Sequence, residues 1–147
     1  MAESLDIAFV SNVVYPFVTG GAQKRIHEIG TRLVERGHTI TVYSRKWWGG
    51  SDDTTVDGVR LRAVAPARDL YAGDRRSIGE ALSFALRVVP PLRAHCLDHD
   101  LVVVSVFPYF PVFTSALSRM QTGVPLATTW HEVWDDYWWE YLGTLGG

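Results

Sequence analysis

Two stretches of this 147-residue chain carry side chains that can handle charge and protons. The first is SNVVYPFVTGGAQKR, from Ser11 to Arg25. Paired glycines, Gly20 and Gly21, let a backbone approach a ligand closely, and the helix they lead into offers its first free N–H groups outward. An anion is stabilised there by those donors and by the helix dipole. Lys24 and Arg25 add positive charge beside it. The same glycines also suit a plain tight turn, and spacing alone leaves both readings open.

The second stretch is TWHEVWDD, from Thr129 to Asp136, with His131 just past a run of strand formers. An imidazole there can donate or accept a proton near neutral pH, or hold a ligand hydroxyl. His131 with Glu132, Asp135 and Asp136 also invites a metal reading, but no His/Cys/Glu spacing of a known metal site supports it. Beyond it, Trp134, Trp138 and Tyr141 fall on one helical stripe, which suits a core or interdomain face, sugar stacking, or contact with a membrane interface. His27, His38, His95 and His99 have no partner at a defensible spacing.

Other chemistries lack their residues. The glycines do not follow the dinucleotide G-x-G-x-x-G pattern, and the second strand ends Val42-Tyr43-Ser44 without an acid, so a nicotinamide enzyme is disfavoured. There is no nucleophile elbow and no Walker loop. A net charge of −2 with 20% charged residues gives no basic surface for nucleic acid. The single cysteine, Cys96, excludes an internal disulfide and reads as core in a reducing compartment. The opening MAESLD has no basic stretch and no small-residue cleavage site after a long apolar run, so no signal peptide is expected, and the longest apolar runs are far short of the roughly 20 residues a spanning helix needs. The expectation is a cytoplasmic protein, with peripheral membrane contact left open.

The elements that must position these residues alternate in type. Leu5 to Ser11 is a short apolar strand, and the segment after Gly21 is a helix with Ile26, Ile29, Leu33 and Val34 on one face, stopped at Gly37. Thr39 to Ser44 is a second strand, completing a βαβ unit. Trp47 to Asp57 reads as a polar loop, and Asp57-Gly58 turns into a third strand, Val59 to Val64, near an edge. Ser77 caps a helix presenting Ile78, Ala81, Leu82, Ala85 and Val89, which Pro90-Pro91 should break or kink. Asp98 to Phe107 is the most apolar strand, Pro111 to Met120 a helix, and Leu126 to Trp130 a last strand. This alternation predicts an α/β fold with a Rossmann-like, doubly wound parallel sheet. Ligands then belong beyond the carboxyl ends of the strands, so Gly20, Gly21 and His131 should open on one groove.

In order, IAFVSNVVYPFVTGGAQKRIHEIGTRLVERGHTITVYS resembles the opening of a retaining GT-B glycosyltransferase of family 4: strand, proline-containing loop, Gly-Gly, amphipathic helix, and Gly-His before strand two. The later GVPLATTWHEVW resembles the same family's strand that ends in a histidine. Where the family often shows Glu shortly after the glycine pair, this chain has Gln23.

The resemblance implies that residues 1–147 are the N-terminal, acceptor-side domain, incomplete at its C-terminus, of a two-domain enzyme. The C-terminal donor-binding domain lies outside this chain, in cis or in trans. It implies a nucleotide-diphospho-sugar donor and an acceptor of unknown type, no metal and no other cofactor, and little activity in the isolated domain. On this reading Gly20 and Gly21, with Gln23, Lys24 and Arg25, approach the donor diphosphate, and His131 touches the transferred sugar. Two alternatives remain: a non-catalytic binding module of the same fold, and a small flavodoxin-like nucleotide-binding protein.

Overall fold

The computed structural model describes residues 3–73, 75–106 and 109–131. The first strand, β1 (Asp6–Val10), is followed by α1 (Gly21–Glu35), β2 (Thr39–Lys46), the hairpin β3 (Asp53–Val56) and β4 (Val59–Pro66). A two-stranded ribbon, β5 (Tyr71–Ala72) and β6 (Arg75–Arg76), leads into α2 (Ile78–His95) and a 3-10 turn at Cys96–Asp98. The chain then runs through β7 (Leu101–Ser105), α3 (Phe110–Thr122) and β8 (Leu126–Thr129).

The main sheet has the order β3-β4-β2-β1-β7-β8, parallel throughout except for β3. β1 is central because both its faces are apolar: Ile7 and Phe9 point to one side, Ala8 and Val10 to the other, and all four are buried. Its register sets Ile7 beside Ile40 on β2 and Leu101 on β7. Taken in chain order, the parallel strands lie 3-2-1-4-5, the dinucleotide-fold arrangement and not the 2-1-3-4-5 of flavodoxin. The flavodoxin-like alternative is therefore corrected. Strand order reverses between β1 and β7, and this switch point is where such sheets open a crevice at their carboxyl edge.

Helix α1 covers one face, packing Ile26, Ile29, Leu33 and Val34 on Ile40, Val42, Val59 and Leu61. Gly30 permits the close approach, since a Cβ there would stand 3.1 Å from a Val59 methyl. On the other face Phe84, Val88 and Leu92 of α2 and Val112 of α3 cover Ala8, Val10, Val102 and Val104. Cys96 is buried in that layer.

Two expectations need correction. The polar segment before Gly58 is not all loop, because Asp53–Val56 forms an antiparallel edge strand on β4. Asp57 (φ 49°) and Gly58 (φ 80°) both take positive φ, as a two-residue hairpin turn of this hand requires. Helix α2 also continues through Pro90 and Pro91 to His95. The carbonyls those prolines leave without an N–H partner belong to Leu86 and Arg87, both exposed, where water can satisfy them. Among the described residues, no helix is long and apolar enough to cross a membrane.

Candidate functional site

The loop that leaves β1 is held tightly at its root and opens toward its end. Ser11, Asn12, Val13 and Val14 are buried, and the Val18 N–H donates to the Val14 carbonyl at 2.9 Å, closing a turn that includes a cis Tyr15–Pro16 bond. From Thr19 to Gly21 the chain is exposed. Gly20 and Gly21 thus sit between a strand and a helix N-terminus at the carboxyl edge of the central strand, as expected. Gly20 is extended (φ 179°, ψ 161°), and a Cβ on Gly21 would meet nothing within 4 Å.

Electrostatically, this helix start is unanswered. Gly20 supplies no side-chain cap, and no acid stands in the first turn of α1. Lys24 and Arg25 are exposed, with no ion pair or side-chain hydrogen bond among the described residues. Cations near a helix N-terminus are unfavourable beside the positive end of the dipole unless an anion joins them. Gln23 behaves differently: it is half-buried, and its carboxamide oxygen folds back to where a Gly20 Cβ would be. The sequence gives no hint of that contact.

Beneath the loop lies a charged network that sequence reading missed. Arg45, at the carboxyl end of β2, donates from Nε to Glu80 Oε1 at 2.7 Å, and both side chains are buried. The guanidinium also donates to the carbonyls of Pro66 (3.0 Å) and Glu80 (2.9 Å). Asn12 Nδ2 lies 3.2 Å from each Glu80 carboxylate oxygen, and the Trp47 indole donates to the Asn12 carbonyl at 2.8 Å. The carboxyl ends of β1, β2 and β4 are thereby tied to the first turn of α2. A bulge between Ser44 and Arg45 carries β2 on to Lys46, beyond its expected end.

His131 is exposed and lies two residues past the end of β8, at the same edge of the sheet as Gly20. With β7 between, the ends of β1 and β8 are about 10 Å apart by strand spacing. Trp130 before it is exposed, donates from Nε1 to Thr128 Oγ1 at 3.1 Å, and lies 6.0 Å from the Tyr109 ring at the start of α3. Glu132, Asp135, Asp136, Trp134, Trp138 and Tyr141 lie outside the described residues. Among the described residues no group of three His, Cys, Asp or Glu side chains could hold a metal ion.

The four other histidines all have partners. Buried His99 sits between Asp6 (Nδ1 to Oδ1, 2.5 Å) and the Tyr43 hydroxyl (Nε2 to Oη, 2.8 Å), at the amino edge of the sheet. His27 pairs with Asp57 at 3.0 Å, His95 with Asp98 at 3.1 Å, and His38 Nδ1 accepts the Leu5 N–H at 3.1 Å. Burial pushes the Tyr43 hydroxyl up from its ordinary value, a shift that Arg62 partly offsets. Asp53, hydrogen-bonded to Arg62 at 3.1 Å, raises that guanidinium further. A hollow of about 410 Å³ beside His99, lined among others by Thr41, Arg60 and Arg62, therefore lies at the edge away from the glycine loop.

Residues 19–146 match the model of the family described as Glycosyltransferase Family 4. An uncharacterized 42.6 kDa protein in the cps region of Klebsiella pneumoniae is 30% identical over 69 residues, which is 47% of this chain and 18% of that protein. Among solved structures, sucrose-phosphate synthase from Thermosynechococcus elongatus superposes with a TM-score of 0.67 at 14% identity, over 97% of this chain and 36% of that one. The C-terminal domain of a hydrogenase from Pyrococcus furiosus gives 0.59 at 15% identity, over 86% of this chain and 92% of that domain. At such identities the two superpositions show the fold alone. The chain spans about a third of the synthase and under a fifth of the Klebsiella protein.

Proposed function

The chain belongs to Glycosyltransferase Family 4, and from that premise we propose that it is the acceptor-side domain of an enzyme moving a sugar from a nucleotide-diphospho-sugar to an acceptor, with retention of configuration. The observation that carries this reading is the uncapped start of α1 at the carboxyl edge of β1, with no acid in its first turn and with Lys24 and Arg25 unpaired among the described residues. A leaving diphosphate supplies the missing negative charge. Its oxygens accept from the free N–H groups at Gly21 and the residues after it, while the two cations offset the charge that grows as the glycosidic bond breaks. No metal is required for that role.

The absence of a side chain at Gly21 leaves room for the diphosphate to reach the backbone. His131, exposed at the end of β8, faces the sugar and holds a hydroxyl of the transferred unit or shares its proton near the reacting carbon. The Arg45–Glu80–Asn12 network touches no substrate; it fixes the root of the loop so that the helix start keeps its place. A second domain binds the nucleotide across the cleft, so the domain alone turns over little or no donor.

The test is a transfer assay on the intact protein with a panel of nucleotide-diphospho-sugars, in parallel with Lys24→Gln and Arg25→Gln. Loss of turnover with unchanged folding is the expected result. Undiminished turnover in the double variant would remove these cations from the mechanism.

A further inference from the structure

The hollow beside His99 has two cross-strand rows for a floor. Val59 and Leu61 of β4 pack under α1, so Arg60 and Arg62 project from the opposite face of the sheet. The register places Arg60 between Thr41 of β2 and Thr55 of β3, and Arg62 between Tyr43 and Asp53. The second row is satisfied within itself. Arg62 donates from Nε to Asp53 Oδ1 at 3.1 Å, its guanidinium lies 6.0 Å from the centre of the Tyr43 ring, and the Tyr43 hydroxyl is held by His99. In the first row, the Arg60 guanidinium and the Thr41 hydroxyl have no hydrogen-bond or ion-pair partner among the described residues. Thr41 is only 5% exposed and lines the hollow. A hydroxyl so placed has left bulk water without gaining a protein partner, a loss that a bound acceptor makes good.

The hollow is also bipolar. On the side of β4, Asp53 is answered by Arg62, which leaves Arg60 as the lining charge without a counter-ion among the described residues. Toward β1, Asp6 is held by His99 and Asp98 by His95, beside the carbonyl end of α2 with its partial negative charge. Asp98 uses Oδ2 for that contact, so Oδ1 remains able to accept from a donor.

We infer that this hollow binds the phosphate monoester of a small polyol. The phosphate accepts from the Arg60 guanidinium and the Thr41 hydroxyl, while hydroxyls at the other end of the ligand donate to Asp98 and Asp6. A volume of about 410 Å³ suits such a molecule, since small-molecule clefts run from about 300 to 1,000 Å³. Inorganic phosphate suits it less well, because it brings no hydroxyl-bearing end for the carboxylate side and is repelled by it. The site lies at the opposite end of the strands from Gly20 and His131, so it goes beyond the proposed transfer reaction and does not depend on it.

Calorimetric titration of the intact protein with sorbitol 6-phosphate, glycerol 3-phosphate, inorganic phosphate and free sorbitol tests this. Sorbitol 6-phosphate should bind at least about tenfold more tightly than inorganic phosphate, as a few added hydrogen bonds allow. Arg60→Gln should weaken it about tenfold or more, and Thr41→Val at least about threefold, with the melting point kept because the lost hydroxyl has no protein partner. Asp98→Asn should weaken sorbitol 6-phosphate without weakening inorganic phosphate. Lys24→Gln combined with Arg25→Gln, at the other edge, should leave this binding unchanged. No binding of either ester, equal affinity for sorbitol 6-phosphate and inorganic phosphate, or free sorbitol binding as well as its phosphate would overturn the inference. So would binding that survives Arg60→Gln and is lost in the Lys24 and Arg25 double variant, which would assign the phosphate to the start of α1.

Discussion

Arg45 Nε and Glu80 Oε1 meet at 2.7 Å with both side chains withdrawn from water, joining the end of β2 to the first turn of α2. Removing one partner strands the other charge in the interior. Glu80→Ala should cost about 3–5 kcal/mol in chemical denaturation, whereas Arg45→Met with Glu80→Leu, which buries no lone charge, should cost less than either single change. A loss in the double equal to the sum of the two single losses would mean that the pair is not coupled.

The reach of this network explains what the sequence could and could not disclose. β1, α1 and β2 are legible because each is specified locally, by an apolar run or by Ile26, Ile29 and Leu33 at helical spacing. Arg45 and Glu80 lie 35 positions apart, Asn12 and Glu80 68, and His99 and Asp6 93, so no spacing rule links them. Strand β3 escaped for a different reason: its Asp53-Thr54-Thr55 is polar on both faces, as an edge strand can be. The usable signal was Asp57-Gly58 followed by the alternating β4. The placement of Gly20 and His131 at the carboxyl edge was legible because each follows an apolar run that reads as a parallel strand.

Two glycines that meet α1, Gly58 and Gly21, should respond in opposite ways. Gly58 sits at φ 80°, and a Cβ there would fall 2.7 Å from a Val34 methyl. Gly58→Ala should therefore lower stability by about 2 kcal/mol. Gly21 has ordinary backbone geometry and open space, so Gly21→Ala should leave the midpoint unchanged or raise stability by up to about 1 kcal/mol. If Gly21 serves only as a turn, the same variant keeps full transferase activity in the intact enzyme. If it gives a diphosphate access to the backbone, turnover falls while stability holds.

Tyr43 predicts an alkaline limb in the stability curve. Burial raises its hydroxyl above the ordinary 10.0. Folding therefore favours the protonated form: its contribution is complete below the unfolded pKa and is lost as pH rises through the folded one. Tyr43→Phe should remove that alkaline decline. At neutral pH it should cost about 1–3 kcal/mol, because Nε2 of buried His99 loses its 2.8 Å partner. Thermal melts of both proteins across the alkaline range decide this, and parallel curves would show that other groups set the limb.

His131 separates a catalytic from a structural assignment because of where it stands. It is exposed, one residue beyond Trp130, and makes no hydrogen bond among the described residues, so the fold gains little from its imidazole. His131→Ala should shift the melting point by no more than about 2 °C, since exposed substitutions away from such contacts usually fall within about 0.5 kcal/mol. A proton-sharing or hydroxyl-holding contact that strengthens as the glycosidic bond breaks is worth about 10² to 10⁴ in rate. The intact enzyme should lose turnover on that scale, with a smaller change in KM for the donor. His131→Gln retains a hydrogen-bond donor without a titrating group, so partial recovery in that variant would point to hydroxyl holding and none to proton transfer. A lowered melting point with turnover intact would make the residue structural, and the site would then have to be sought nearer the start of α1.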